Sequence, residues 1–241
     1  MSTYVLIHGS WHDGDTWHDV AEAIRAQGNE VHTPTVAGHG KNAPKAVSHN
    51  DCVQSIVDYI HDRDLREVVL LGHSFGGTVI ARVAEEVPER LSRLIFWNAF
   101  VPNPGNSLLD EVPPHYRAMF TDLAAASGDN TITLPFPVWR EAFIQDADLA
   151  FATETYKLLS SEPFQPLCDK LDLTRFYQFE TPRSYLNGTE DIALPPGEWG
   201  WHPRMSGRLG LCRLVQLPGS HEVMFTNPTL LASKIIEAGR D

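Results

Sequence analysis

Ser74 is the residue whose surroundings best suit covalent chemistry, because it sits at the centre of Gly72-His73-Ser74-Phe75-Gly76. A GxSxG pentapeptide arises by chance in many chains, so its flanks carry the argument. Val68-Val69-Leu70-Leu71 before it reads as a buried strand, and Phe75–Val87 reads as a helix that Pro88 stops. A strand that turns directly into a helix strains the corner residue, and flanking glycines remove side chains that would block the turn. The serine hydroxyl is thereby pushed out above the sheet, beside the free N–H groups and positive dipole end of the helix. The plainer alternative is a serine that only caps the helix.

A hydroxyl needs a base and an oriented third group to become a nucleophile. Eleven histidines compete for the base, and position chooses among them. His221 lies in Gly219-Ser220-His221-Glu222, between the last strand-like run and the last helix, whereas His202 leads into that strand. With a strand–serine–helix turn of this kind, acid and histidine follow the serine in that order, on loops after later strands. The loop after Arg183–Leu186 holds two carboxylates, Glu190 and Asp191, of which Asp191 is favoured. Some enzymes carry the acid after the preceding strand, but there Asn98 supplies an amide, which cannot stabilise an imidazolium as a carboxylate does. The expected oxyanion donors are the Phe75 N–H and the Ser10 N–H, the latter from His8-Gly9-Ser10-Trp11-His12 after the first strand. Solvated loop positions are the bland readings for His221 and for the two carboxylates.

The elements that must position these groups follow from short apolar runs with little polar alternation: Tyr4–His8, Glu30–Thr33, Val68–Gly72, Leu94–Asn98, Arg183–Leu186 and Arg213–Leu217. Strands buried on both faces look like this. Helices fit between them over Trp17–Gln27, ended by Gly28, and Asp51–Arg63, with Asn50 as its cap; Asn227-Pro228 opens a last helix. The alternation predicts an α/β fold with a mainly parallel sheet of about six strands flanked by helices. Residues 102–182 break the pattern with many prolines, no good buried strand, and amphipathic stretches at Tyr116–Ala126 and Ala147–Leu159. A structureless loop of that length is implausible. The segment reads as a helical lid inserted into a single core of residues 1–101 and 183–241.

Composition narrows the class. Across 241 residues, 42% hydrophobic and 21% charged side chains describe an ordinary soluble globule. A net charge of −12 repels phosphate backbones, so a nucleic-acid partner is not expected. Cys52, Cys168 and Cys212 are scattered and lack CxxC spacing, which fits reduced thiols in a cytoplasmic protein better than disulfides or zinc. No apolar stretch reaches the ~18 residues of a membrane span. With no GxGxxG, GxxxxGK[ST] or HExxH, neither a cofactor nor a metal is expected.

Five segments, LIHGSWHDGDTW, LLGHSFGG, FWNAFVP, NGTEDIALP and GSHEVMFTNP, together resemble the α/β-hydrolases related to plant methylesterases and hydroxynitrile lyases, among them the methyl salicylate esterases. The resemblance covers both ends of the chain and fades over 102–182. It implies the α/β-hydrolase fold, a triad of Ser74, Asp191 and His221, oxyanion donors at Ser10 and Phe75, and cleavage of a small ester through an acyl-enzyme. One class of the lyases carries a lysine directly after the histidine, and a threonine or asparagine where this chain has Gly9. Glu222 and Gly9 therefore argue against cyanohydrin cleavage. Cofactor-free dioxygenases on the same fold, and a ligand-binding module with a vestigial triad, are the other readings. Trp11, Trp97 and Phe100 are candidate pocket walls for an aromatic or apolar substrate body. His12 matches a position that the plant esterases use near the active site, although a hydrogen-bonded structural histidine explains it better. Glu198-Trp199-Gly200-Trp201-His202-Pro203 either covers the lid or shapes the pocket mouth, or packs a surface helix, and Gly38-His39-Gly40 reads as a turn.

Overall fold

The computed structural model describes residues 1–240, so Asp241, the last residue of the expected core, lies outside the described residues. In chain order the strands are β1 (Thr3–Ile7), β2 (Glu30–His32), β3 (Val68–His73), β4 (Leu91–Trp97), β5 (Thr131–Ile132), β6 (Glu162–Pro163), β7 (Arg183–Gly188) and β8 (Arg213–Leu217). Six of them form one sheet in the order β2-β1-β3-β4-β7-β8, and every neighbouring pair is parallel. The helices are α1 (His18–Arg25), α2 (His49–Asp62), α3 (Gly76–Glu86), α4 (Pro114–Ser127), α5 (Phe136–Val138), α6 (Leu149–Tyr156), α7 (Gln165–Cys168), α8 (Val223–Thr226) and α9 (Pro228–Gly239).

Strand side chains alternate between the two faces of a sheet, and here both faces are covered. Val5, Ile7, Leu70, Leu94 and Phe96 pack with Ile56 and Ile60 of α2 and Val79, Ile80 and Val83 of α3. Tyr4, Leu6, Leu71, Ile95 and Trp97 pack on the other side with Val20 and Ile24 of α1 and Leu231 and Ile235 of α9. This double burial explains the continuous apolar runs in the strands. Each fully buried Val, Leu, Ile or Phe contributes about 1.5–3 kcal/mol relative to exposure.

Two local expectations need correction. The cap of α2 is Ser48 and not Asn50: the Ser48 hydroxyl accepts the Asp51 N–H, and the Asp51 carboxylate accepts the Ser48 N–H. A reciprocal box satisfies two orphan helix donors where a lone Asn would satisfy one. Residues 102–182 also contain strand after all, since β5 and β6 pair antiparallel with Ile132 opposite Glu162. Two-residue strands are too short to show a period in sequence. The same segment carries α4 to α7, and its Phe120, Trp139, Phe143 and Ala152 join the core on the α2/α3 face of the sheet. At the other end of the chain, the Asn227 side chain accepts the Leu230 N–H and Pro228 opens α9. Among the described residues, no helix is long and apolar enough to cross a membrane.

Candidate active site

The loops that follow β1, β3, β4, β7 and β8 all leave the carboxyl edge of the parallel sheet, where open α/β sheets hold their ligands. Ser74 follows β3 directly, with φ at +52°. A non-glycine residue in that region costs about 1–3 kcal/mol and persists only where its surroundings over-determine it. Here they do. The Ser74 N–H donates to the Trp97 carbonyl (3.3 Å), and the Ser74 carbonyl accepts the Gly77 and Phe100 N–H groups (3.1 Å each). The flanking glycines are steric necessities: a Cβ on Gly72 would meet the Gly76 carbonyl oxygen at 2.4 Å, and one on Gly76 would meet the His8 carbonyl oxygen at 2.7 Å.

His221 lies in the turn between β8 and α8, and its Nδ1–H donates to Asp191 Oδ2 at 2.6 Å. Both side chains are fully buried. Asp191 is itself held, with Oδ1 accepting the Ala193 N–H (2.8 Å) and Oδ2 accepting Asn98 Nδ2–H (2.5 Å). Asn98 is buried and has φ at +34°. Its N–H donates to the Leu186 carbonyl (3.0 Å), and its Oδ1 accepts the Gly188 N–H (2.9 Å). The amide thus ties the end of β4 to β7 and to the acid. In the sequence Asn98 reads only as an amide unfit to be the acid, and its place, where other enzymes carry the acid, is the available signal. Glu190 is exposed, and its carbonyl accepts Gln145 Nε2–H at 2.6 Å. His202 is bound to Ser206 Oγ at 2.6 Å inside its own turn.

Burial opposes a charge on His221, but the Asp191 charge and hydrogen bond, with Glu222 adding, outweigh it and raise the imidazole above its ordinary value. The His73 ring lies 4.4 Å from the His221 ring. Burial, reinforced by His221, holds His73 well below the ordinary value, so it stays neutral.

Ser10, Ser74 and His221 line a cavity whose remaining walls are largely aromatic and aliphatic, including Trp11, Phe100, Tyr116, Phe120 and Leu194. Trp201 and Phe143 also line it: Trp201 stacks on His221 (5.2 Å, 12°) and Phe143 meets that ring edge-on (5.3 Å, 89°). The Ser10 and Phe75 N–H groups have no acceptor among the described residues. His8 braces the Ser10 loop: its Nδ1–H donates to the Gly9 carbonyl (2.9 Å), and its Nε2 accepts the Val36 N–H (3.0 Å).

Trp97, an expected wall residue, and His12, which the resemblance puts near the active site, do not line the cavity among the described residues. Trp97 is odd-numbered on β4 like Ile95, so the strand period turns it to the α1/α9 face, away from Phe96. His12 is buried one residue beyond the wall residue Trp11, with Nε2 3.0 Å from the Glu222 carboxylate.

Residues 4–234 match the model of the alpha/beta hydrolase family. The chain belongs to that family. It is similar along its whole length to a solved extracellular alpha/beta-hydrolase from a Paenibacillus species, described as sharing structural and functional homology with tobacco salicylic acid binding protein 2. The two share 45% identity and a TM-score of 0.98 over 100% of both chains. It is also 30% identical to the carbendazim hydrolyzing esterase of Nocardioides sp. (strain SG-4G), over 99% of this chain and all of that one. Methylesterase 1 of Arabidopsis thaliana matches at 29% identity over 82% of this hydrolase and 81% of the plant protein.

Proposed function

We propose that this hydrolase cleaves small carboxylic esters, with Ser74 as nucleophile, His221 as general base and acid, and Asp191 as the residue that orients His221. One observation carries the reading: a buried His221–Asp191 pair at 2.6 Å borders the same cavity as a serine held at φ +52°. His221 takes the Ser74 proton as Oγ attacks the ester carbonyl, and the N–H groups of Ser10 and Phe75 receive the oxyanion. Protonated His221 then releases the alcohol, and water repeats the steps on the acyl-enzyme. Removing one such donor typically costs 10²–10³ in kcat, about 2.7–4 kcal/mol.

The walls favour a neutral, flat acyl or alkyl body. Among the described residues, no lysine, arginine or carboxylate lines the cavity. Burial, with the Asp191 charge adding, raises the Tyr116 phenol and keeps it protonated. The aromatic and aliphatic walls suit an aryl ester with a small alcohol. The esterase names of the relatives favour the same class. In this reading residues 102–182 act as the lid of a single-domain core, since their Tyr116, Phe120 and Phe143 wall the cavity.

Cyanohydrin cleavage fits less well. Glu222 stands where those lyases need a cation, and it is buried against His12. A side chain at Gly9 would begin with a Cβ 3.0 Å from Ser74 Cβ. A cytoplasmic location rests on the three unpaired cysteines; recovery of the native protein from the culture medium would refute it. The activity is tested with short p-nitrophenyl esters and a fluorophosphonate. Turnover and one-per-chain labelling should both vanish in Ser74→Ala. Undiminished turnover by that variant would sink the assignment.

A further inference from the structure

Trp11 has φ at +64°, a left-handed conformation that bulky residues adopt only under compulsion. The compulsion comes from residues 130–163. The Trp11 N–H donates to Glu162 Oε2 (2.8 Å), its indole Nε1–H donates to the Ile132 carbonyl (3.0 Å), and its carbonyl accepts the Ser160 N–H (2.9 Å). Every polar group of Trp11 is therefore bound to the segment inserted after β4. Glu162 is wholly buried, and its carboxylate also faces His39 Nε2 at 3.1 Å. His39 Nδ1 meets the Ala37 carbonyl at 3.0 Å. Nδ1 must donate to that carbonyl, so His39 Nε2 and the Glu162 carboxylate share one further proton between them. The His39 ring in turn stacks on Phe75 (5.3 Å, 27°). One carboxylate thus reaches both proposed oxyanion donors, Ser10 through the next residue's N–H and Phe75 through the His39 ring. Neither the strain at Trp11 nor the Glu162–His39 pair is used by the chemistry of the triad.

We infer that Glu162 is a positioning residue for the oxyanion hole: by holding the Trp11 N–H, it aims the Ser10 N–H at the reacting carbonyl oxygen. The inserted segment is then part of the catalytic machinery and not only a wall for substrate. The inference rests on the proposed ester hydrolysis.

Substitutions at Glu162 separate reach from charge. Gln keeps an oxygen for the Trp11 N–H and offers N–H to a neutral His39, so Glu162→Gln should retain kcat within about threefold. Glu162→Asp keeps the charge but falls one methylene short. It should lose at least about tenfold in kcat, a part of the 10²–10³ that one oxyanion donor contributes, with KM within about twofold. Glu162→Ala should fall at least as far; if it does not fold, the Gln–Asp contrast decides alone. The second readout is affinity for an aryl trifluoromethyl ketone, to which Ser74 adds to form a hemiketal oxyanion. Glu162→Asp should lose the same factor there while binding the product acid as the wild type does. Wild-type kcat and ketone affinity in Glu162→Asp would overturn the inference. So would a Gln variant that falls as far as Asp, or a loss confined to KM. Failure of the wild-type chain to turn over any ester would instead sink the esterase reading, and the ketone would still report on the oxyanion hole.

Discussion

The His221–Asp191–Asn98 chain makes a residue-scale argument about what a carboxylate does that an amide cannot. Asp191 is the group that raises His221 against the cost of its burial. In the proposed role of general base, an imidazole so raised is protonated, and inactive, up to a higher pH than an ordinary histidine near 6.5. In the wild type, kcat/KM for a neutral ester should therefore rise through a pKa above that value. In Asp191→Asn burial dominates, and the limb should move down in pH, with kcat reduced by orders of magnitude (~10⁴ for the equivalent change in a serine protease triad). Glu190→Gln should leave both within about twofold; the reverse pattern in a pH–rate series would reassign the acid. The same raised pKa affects stability. Its contribution is fully present below the unfolded-state pKa and is lost as pH rises through the folded one. Asn98→Ala leaves Asp191 Oδ2 with one partner fewer and should lower kcat with KM unchanged, by about tenfold if the lost bond is worth ~1.4 kcal/mol.

At the scale of elements, the turn from β3 into α3 works because backbones touch where side chains would stand. Gly76→Ala would drive a methyl against the His8 carbonyl oxygen, 2.7 Å away, and force β1 and α3 apart. Stability should fall by about 1–3 kcal/mol, read by denaturant unfolding, and kcat should fall with it because Ser10 and Phe75 move relative to each other. An unchanged midpoint with unchanged kcat would mean that the two elements slide freely. The cap of α2 is a gentler device: Ser48→Ala should cost about 1 kcal/mol without affecting turnover.

At the scale of the whole molecule, a buried carboxylate joins the inserted segment to the turn before β8. Glu111 meets Arg204 (2.6 Å) and Arg208 (2.9 Å) with its own side chain almost wholly buried. The two guanidinium groups are partly exposed, so the cost of removing their partner is less than for a fully buried pair. Glu111→Ala should cost about 2–3 kcal/mol and lower the melting temperature by about 5–10 °C. An unaltered melting curve would show that the guanidinium groups re-solvate at no cost.

Much of this architecture was legible from residues alone. Buried strands, a serine between close-packed glycines, and a histidine and carboxylate on later loops are local patterns, each dictated by neighbours a few positions away. Trp97 reads as a pocket wall in the sequence because nothing along the chain says which face of the sheet lies under the cavity; the structure turns it to the α1/α9 face. Asn98 looked like a missing acid until the meeting of β4 and β7 put its amide on Asp191, 93 residues away. Glu162 and His39 belong to a pair separated by 123 residues, and no spacing rule links them. The chemistry proposed for Ser74 and His221 is readable along the chain, because it depends on residue type and local turns. The tertiary structure alone decided what aims and surrounds it, because those contacts arise only when distant segments close over the edge of the sheet.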